Sequence, residues 1–457
     1  MIEFSFLFII LILFLQWRLH SSRGVSQLLA TSLTIYLLFW NIFPFLYSYF
    51  MPTRTDNVIF STVYQKIVFV QFLSLILILS MLNFLTRLKF NIQSNAPCKV
   101  EAIHPRVVVF LLVIALITLL FIKNFFIQKI GFTFIERAEY TLSNDNKEGG
   151  LVALFGVLNS YIVPFAFACI FLYARQNYNV WITRLAFVIV SVHIGYSFVF
   201  GTRSVLFLPI ILMILYWKEG FLSLKIPQKV AIFFLTLFLV FMAPFLSLNL
   251  RSVRSLQSYS PSDVASINPF AGGSSWESIP LDILDDIYMK FSSFQYGTAL
   301  LQVEGEERVG CSLIISSIMS PIPRFLYPLK PVPFSSNGEY SGAPYYVVAN
   351  ILNPSFRGYI VPVPASTIAL WELGFVGLGL MILFNIINLF LANNCLKSSS
   401  LMYKSIGFFM LAMPTFEFLI APTGWIIKEG LRIVLVVVFV RIFFVIISRF
   451  RKSFVLK

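Results

Sequence analysis

Residues Ile67 to Leu85 read IVFVQFLSLILILSMLNFL, an apolar run without a charged side chain. A helix needs about 20 such residues to cross the hydrocarbon core of a bilayer. The run therefore predicts a transmembrane helix, and comparable runs occupy most of the chain. Hydrophobic residues make up 58% of the sequence, aromatic residues 17% and charged residues 12%. That charged fraction is about half of the roughly 25% carried by an ordinary soluble domain. The composition describes an integral membrane protein.

Working outward from that run, roughly eleven stretches reach spanning length. They are Ile2 to Trp17, Val25 to Phe50, Ile67 to Leu85, Val107 to Ile122, Leu151 to Ala174, Leu185 to Phe200, Ser204 to Trp217, Val230 to Leu248, Ala365 to Ala392, Ser405 to Thr423 and Leu431 to Ile447. The first lacks a basic leader and a small-residue cleavage site, so it is expected to be a retained span and not a removed signal peptide. The predicted fold class is an all-α polytopic membrane protein in three parts. A transmembrane bundle of about eight helices over residues 1–248 precedes one large, partly helical loop over 249–364, and about three further helices follow over 365–457.

The formal charge is +14. A basic balance of that size raises nucleic acid as a partner, but the Lys and Arg residues fall mainly in short loops between apolar runs. Membrane topology accounts for them. If loops alternate sides, the basic ones follow spans one, three, five, seven, nine and eleven, which the positive-inside rule places in the cytoplasm. The N-terminus is then outside and the C-terminus cytoplasmic. The long polar interval, the Lys123 to Gly150 loop and the Gly201 to Arg203 turn share the outer face. Of the four cysteines, only Cys311 lies in the large outer loop, so no disulfide framework is expected.

The polar interval from Asn249 to Pro364 is far longer than a connector requires, and loops of that kind usually carry function. Within it, Leu281, Leu284, Tyr288, Phe291 and Phe294 recur at helical spacing. They predict a helix lying on the membrane surface, with Asp282, Asp285, Asp286 and Lys290 on its solvated face. Leu313 to Met319 forms a second apolar run. PIPRFLYPLKPVP, from Pro321 to Pro333, favours an extended, bent path that holds Arg324 and Lys330 on a stiff backbone.

Arg203 stands where a span meets the outer surface. A snorkelling anchor is the plain reading. The chemical reading is stronger in consequence, because a guanidinium keeps its charge and grips phosphate oxygens with two prongs. Glu417 and Arg441 lie deeper and are read as a neutralising pair, although intramembrane charges attract functional interest by default. Glu429, in the expected outer turn IKEGLR, is better placed for reaction chemistry. His193, mid-span, is read as a packed bundle residue. No spacing of His, Cys and carboxylates suits a metal, and the Ala271 to Ser275 run lacks the lysine of a phosphate loop. No metal, nucleotide or other cofactor is expected.

Three short motifs carry a resemblance. GTRSVLF at Gly201, PIPRFLYPLKP at Pro321 and Lys428-Glu429-Gly430-Leu431 are similar to elements of the Wzy-type polymerases of bacterial surface polysaccharides, including O-antigen polymerases. The resemblance implies a metal-independent glycosyltransferase of the inner membrane. It would move a glycan from undecaprenyl pyrophosphate onto a second lipid-linked repeat unit at the periplasmic face, with a chain-length regulator protein as a possible partner. It assigns Arg203, Arg324 and Lys330, then Arg251 and Arg254, to the pyrophosphate and glycan, and offers Glu429 and Glu339 as general bases. An O-antigen ligase-like enzyme is the neighbouring reading, although an outer-loop histidine expected there is missing. A lipid-linked oligosaccharide flippase or other transporter is the rival from another class.

Overall fold

The computed structural model describes residues 2–22, 24–55, 58–88, 105–130, 149–173, 180–199, 288, 293–302, 312–319, 363–398, 400–412, 420–428, 430, 431, 433, 434 and 438. The described chain is all-helical. Helices α1 (Ile2–Ser21), α2 (Gln27–Tyr36), α3 (Phe43–Phe50), α4 (Thr62–Leu88), α5 (Pro105–Ile130), α6 (Gly149–Tyr173) and α7 (Val180–Val199) coincide with the first six expected spans. A π-helical turn, Leu37–Ile42, joins α2 to α3 into one rod. In the polar interval stand α8 (Ser293–Gln302) and α9 (Ser312–Met319), and beyond it α10 (Ala365–Leu373), α11 (Phe375–Lys397) and α12 (Leu401–Ala412). Expected spans seven and eight, at 204–217 and 230–248, lie outside the described residues, as does most of the eleventh.

Five helices among the described residues are long and apolar enough to cross a membrane: Ile2–Ser21, Gln27–Phe50, Thr62–Leu88, Pro105–Phe125 and Phe375–Lys397. Their surfaces carry the lipid signature. On α4 the exposed large hydrophobic residues are Leu73, Leu77, Met81, Phe84 and Leu88, one stripe at three- and four-residue steps, while the exposed charges Lys66 and Arg87 lie toward its ends. Gln71, Ser74, Asn83 and Thr86 turn inward. This reverses the pattern of a water-facing helix, because each polar group must find its partner inside the protein when hydrocarbon lies outside. Asn83 accordingly donates to Leu15 O across the α1–α4 seam at 3.2 Å and to Leu79 O at 3.0 Å.

The packing order departs from chain order. α4 touches α1 on one side and α11 on the other; α12 packs on α11 and on α6, and α7 links α6 to α5. The hairpin α11–α12 thus lies between the α1–α4 group and the α5–α7 group. Phe408 of α12 stacks on Phe167 of α6, with ring centroids 5.7 Å apart. At the other end of the hairpin, Asn393 accepts from Ser26 N at 2.7 Å and donates to Gly24 O at 3.0 Å, fastening α11 to the α1–α2 turn.

Gly407 sets the closeness of the hairpin. A Cβ there would sit 2.8 Å from Leu396 N and 2.9 Å from Leu396 Cγ, and small residues are how membrane helices bring their backbones together. Gly407→Ala is expected to cost about 1 to 3 kcal/mol, the usual range for overpacking. A thermal melt of the purified variant in detergent checks this, and an unchanged midpoint would show that α12 can slide freely along α11.

Two expectations change here. The ninth span, 365–392, is not one helix: it breaks at Gly374, whose φ of 63° and ψ of −140° suit glycine. Gly377 keeps the corner tight, since a Cβ there would fall 2.2 Å from Ala369 O. The tenth span, 405–423, is also interrupted. α12 is described as far as Ala412, Ile420 to Pro422 are non-helical, and residues 423–428 are helical again.

Candidate functional site

A proline and a serine explain how the polar interval enters the bundle. Pro44 has no N–H to return to the Trp40 carbonyl four residues back. Ser293, at the start of α8, donates its hydroxyl to that carbonyl at 3.2 Å. Nearby, the Tyr288 ring stacks on Tyr47 with centroids 4.7 Å apart, and its hydroxyl meets Ser48 Oγ at 3.0 Å. Phe294 closes edge-on against Tyr64 and Phe72 of α4. Tyr288 and Phe294 were expected on a membrane-surface helix; both are buried in the bundle instead. Residues 281–287 and the acids Asp282, Asp285 and Asp286, with Lys290, lie outside the described residues.

Beside α8, a chain of amides and hydroxyls crosses three elements. Gln71 of α4 donates to Asn41 Oδ1 at 3.0 Å and accepts from Ser366 Oγ of α10 at 2.5 Å. Gln71 is nine residues into α4, roughly 13 Å along the axis at 1.5 Å per residue. The π-turn that carries Asn41 belongs to a helix irregularity often found at functional positions.

The interrupted tenth element is held by α11. Asn385, ten residues into α11 and so roughly 15 Å along it, donates to Ala421 O at 2.8 Å and accepts from Ala421 N at 2.9 Å. Tyr36 OH reaches Ile420 O at 3.5 Å. Non-helical backbone at such depth is tolerated only when protein supplies its hydrogen bonds, and Asn385 supplies two. Broken helices around a midplane polar layer are also how membrane proteins build internal binding sites.

Glu372 of α10 was not singled out in the sequence. Its residue surface is 3% exposed, and its Oε1 is enclosed with no hydrogen-bond partner among the described residues. The signal was present: one acid inside an apolar run, which merits attention wherever it occurs in a membrane. Its position a few residues from the start of an assumed unbroken span disguised it.

Every residue assigned by motif lies outside the described residues: Arg203, Arg251, Arg254, Arg324, Lys330, Glu339 and Glu429, and with them Glu417 and Arg441. Their mutual geometry is therefore absent from the site described here. Around Glu429 the setting differs from expectation. The outer turn read at 428–431 is flanked by helix, with 423–428 and also 430 and 431 helical, and Lys428 Nζ lies 4.7 Å from the Trp425 ring centroid. His193 is a partly buried residue of α7. No group of three or more His, Cys, Asp or Glu side chains among the described residues is arranged to hold a metal ion. The chain matches no family model, no curated protein and no solved structure.

Proposed function

We propose that the chain is a Wzy-type polysaccharide polymerase of the bacterial inner membrane. It takes a growing glycan from undecaprenyl pyrophosphate and places it on the free end of another lipid-linked repeat unit, at the periplasmic face. The leaving group is a pyrophosphate, and its developing charge calls for fixed cations. Arg203, Arg324 and Lys330 fill that role, with Arg251 and Arg254 behind them. Glu429 or Glu339 accepts the proton of the attacking hydroxyl. The N-terminus is periplasmic and the C-terminus cytoplasmic, and a chain-length regulator protein is a natural partner.

The three motifs give the reaction type. The structural observation that supports the reading best is the insertion of α8, through Ser293 and Trp40, into the transmembrane bundle. A polymerase must bring loop residues and membrane residues to one lipid-borne substrate, and an interval anchored there suits that demand. Transport is the second reading, favoured by the broken helices and the enclosed Glu372.

Deleting the gene and resolving the cell's lipopolysaccharide on a gel separates the two. Loss of polymerase should collapse the ladder to core bearing a single repeat unit, since flipping and ligation continue. Core with no repeat unit at all would sink the polymerase reading and favour a step before or after polymerisation.

A further inference from the structure

We propose that Glu372 is a proton-binding site, a carboxylic acid held in its neutral form within the bundle at neutral pH. Its surroundings supply nothing else. α10 packs on α4, α8 and α11. The titratable side chains of those helices are Tyr64, Lys66 and Arg87, then Tyr296, then Cys395 and Lys397. None of them forms an ion pair or hydrogen bond with Glu372 among the described residues.

The neighbours along α10 do not compensate it either. Ser366 is committed to Gln71, and Thr367 faces Gly297 of α8, where a Cβ would come within 3.1 Å of its hydroxyl. An ionised carboxylate without partner or water is strongly disfavoured, and such groups neutralise in preference to remaining charged. Oε1 itself has no open surface.

The corner also resists the alternative of swinging the side chain out. Gly374 closes α10 at positive φ, and Gly377 presses on the Ala369 carbonyl. Phe375, the residue after the corner, is 83% exposed and marks where the protein surface begins, while Glu372 stays enclosed. The inference is independent of which reaction the protein performs.

Infrared spectroscopy of the full chain in lipid nanodiscs at neutral pH tests it. A protonated carboxylic acid has a carbonyl stretch that a carboxylate lacks, and the expected result is such a band in the native protein that disappears in Glu372→Gln. Absence of the band in the native protein, or its persistence in the variant, overturns the proposal. Should Glu372→Gln fail to accumulate, Glu372→Asp is the second variant, since it keeps the acid and changes its setting. A displaced carbonyl band supports the site, and a band unmoved from the native position overturns it.

Discussion

Replacing Arg203 with alanine is expected to leave a stably inserted protein whose polymerisation falls roughly a hundredfold to a thousandfold, the range for losing one preorganised donor to a developing anion. The argument starts from depth. At the end of a span an arginine reaches the headgroup layer at little cost, far below the roughly 2.5 to 3.5 kcal/mol of a mid-bilayer charge, so its removal should hardly affect insertion. A lipid pyrophosphate sits in that same layer. The guanidinium offers it two parallel hydrogen bonds in addition to charge, and lysine offers only charge. Arg203→Lys should accordingly recover part of the activity and not all of it. Arg324→Ala should resemble Arg203→Ala, whereas Arg18→Ala, at the end of α1, should disturb only insertion. The readout is the lipopolysaccharide ladder at matched protein level. A normal chain-length distribution in Arg203→Ala would remove the residue from the site and weaken the reading built on it.

The first six helices were legible in position, with ends off by up to eight residues, as at Ile122 against Ile130, because hydropathy reports the exchange of water for hydrocarbon. Interior structure follows other signals. α8, SFQYGTALLQ, resembles a loop by composition, yet Phe294, Thr298 and Leu300 are enclosed. Protein, not lipid, surrounds it, and its hydroxyls are satisfied there by Trp40 O and Phe294 O. The breaks at Gly374 and at Ile420 to Pro422 were likewise missed, since hydropathy does not register a change of backbone geometry. Pro44 and Gly374 were present as punctuation, but proline and glycine are common within membrane helices and do not by themselves locate a break. For the candidate site the balance reverses. Arginines beside prolines and at span ends stand out in the sequence, while Gln71, Asn41, Asn385 and Glu372 each look like a single interruption until the fold packs α10 and α11 on α4 and brings Asn41 to Gln71.

Asn385→Leu is expected to destabilise the protein by about 2 to 5 kcal/mol, since each buried group left unpaired costs about 1 to 3 kcal/mol. Leucine has asparagine's branched outline but a larger volume, so overpacking adds to the lost hydrogen bonding. In the native protein the Asn385 amide uses both hydrogens, on Met381 O at 2.7 Å and Ala421 O at 2.8 Å, and its oxygen accepts from Ala421 N at 2.9 Å. Leucine strips the partner from both polar groups of Ala421, in a segment that has no helix of its own to turn to and no water at that depth. The Met381 carbonyl loses less, because it lies within a helix. Asn385→Asp gives the discriminating comparison: it keeps an acceptor for Ala421 N–H but loses the donor and introduces a charge, so it should be at least as damaging as leucine. Thermal melts in detergent, together with the amount of each variant retained in membranes, measure the effect. A leucine variant as stable as the native protein would mean that the 420–422 segment satisfies itself, and that Asn385 is not what holds the interrupted helix open.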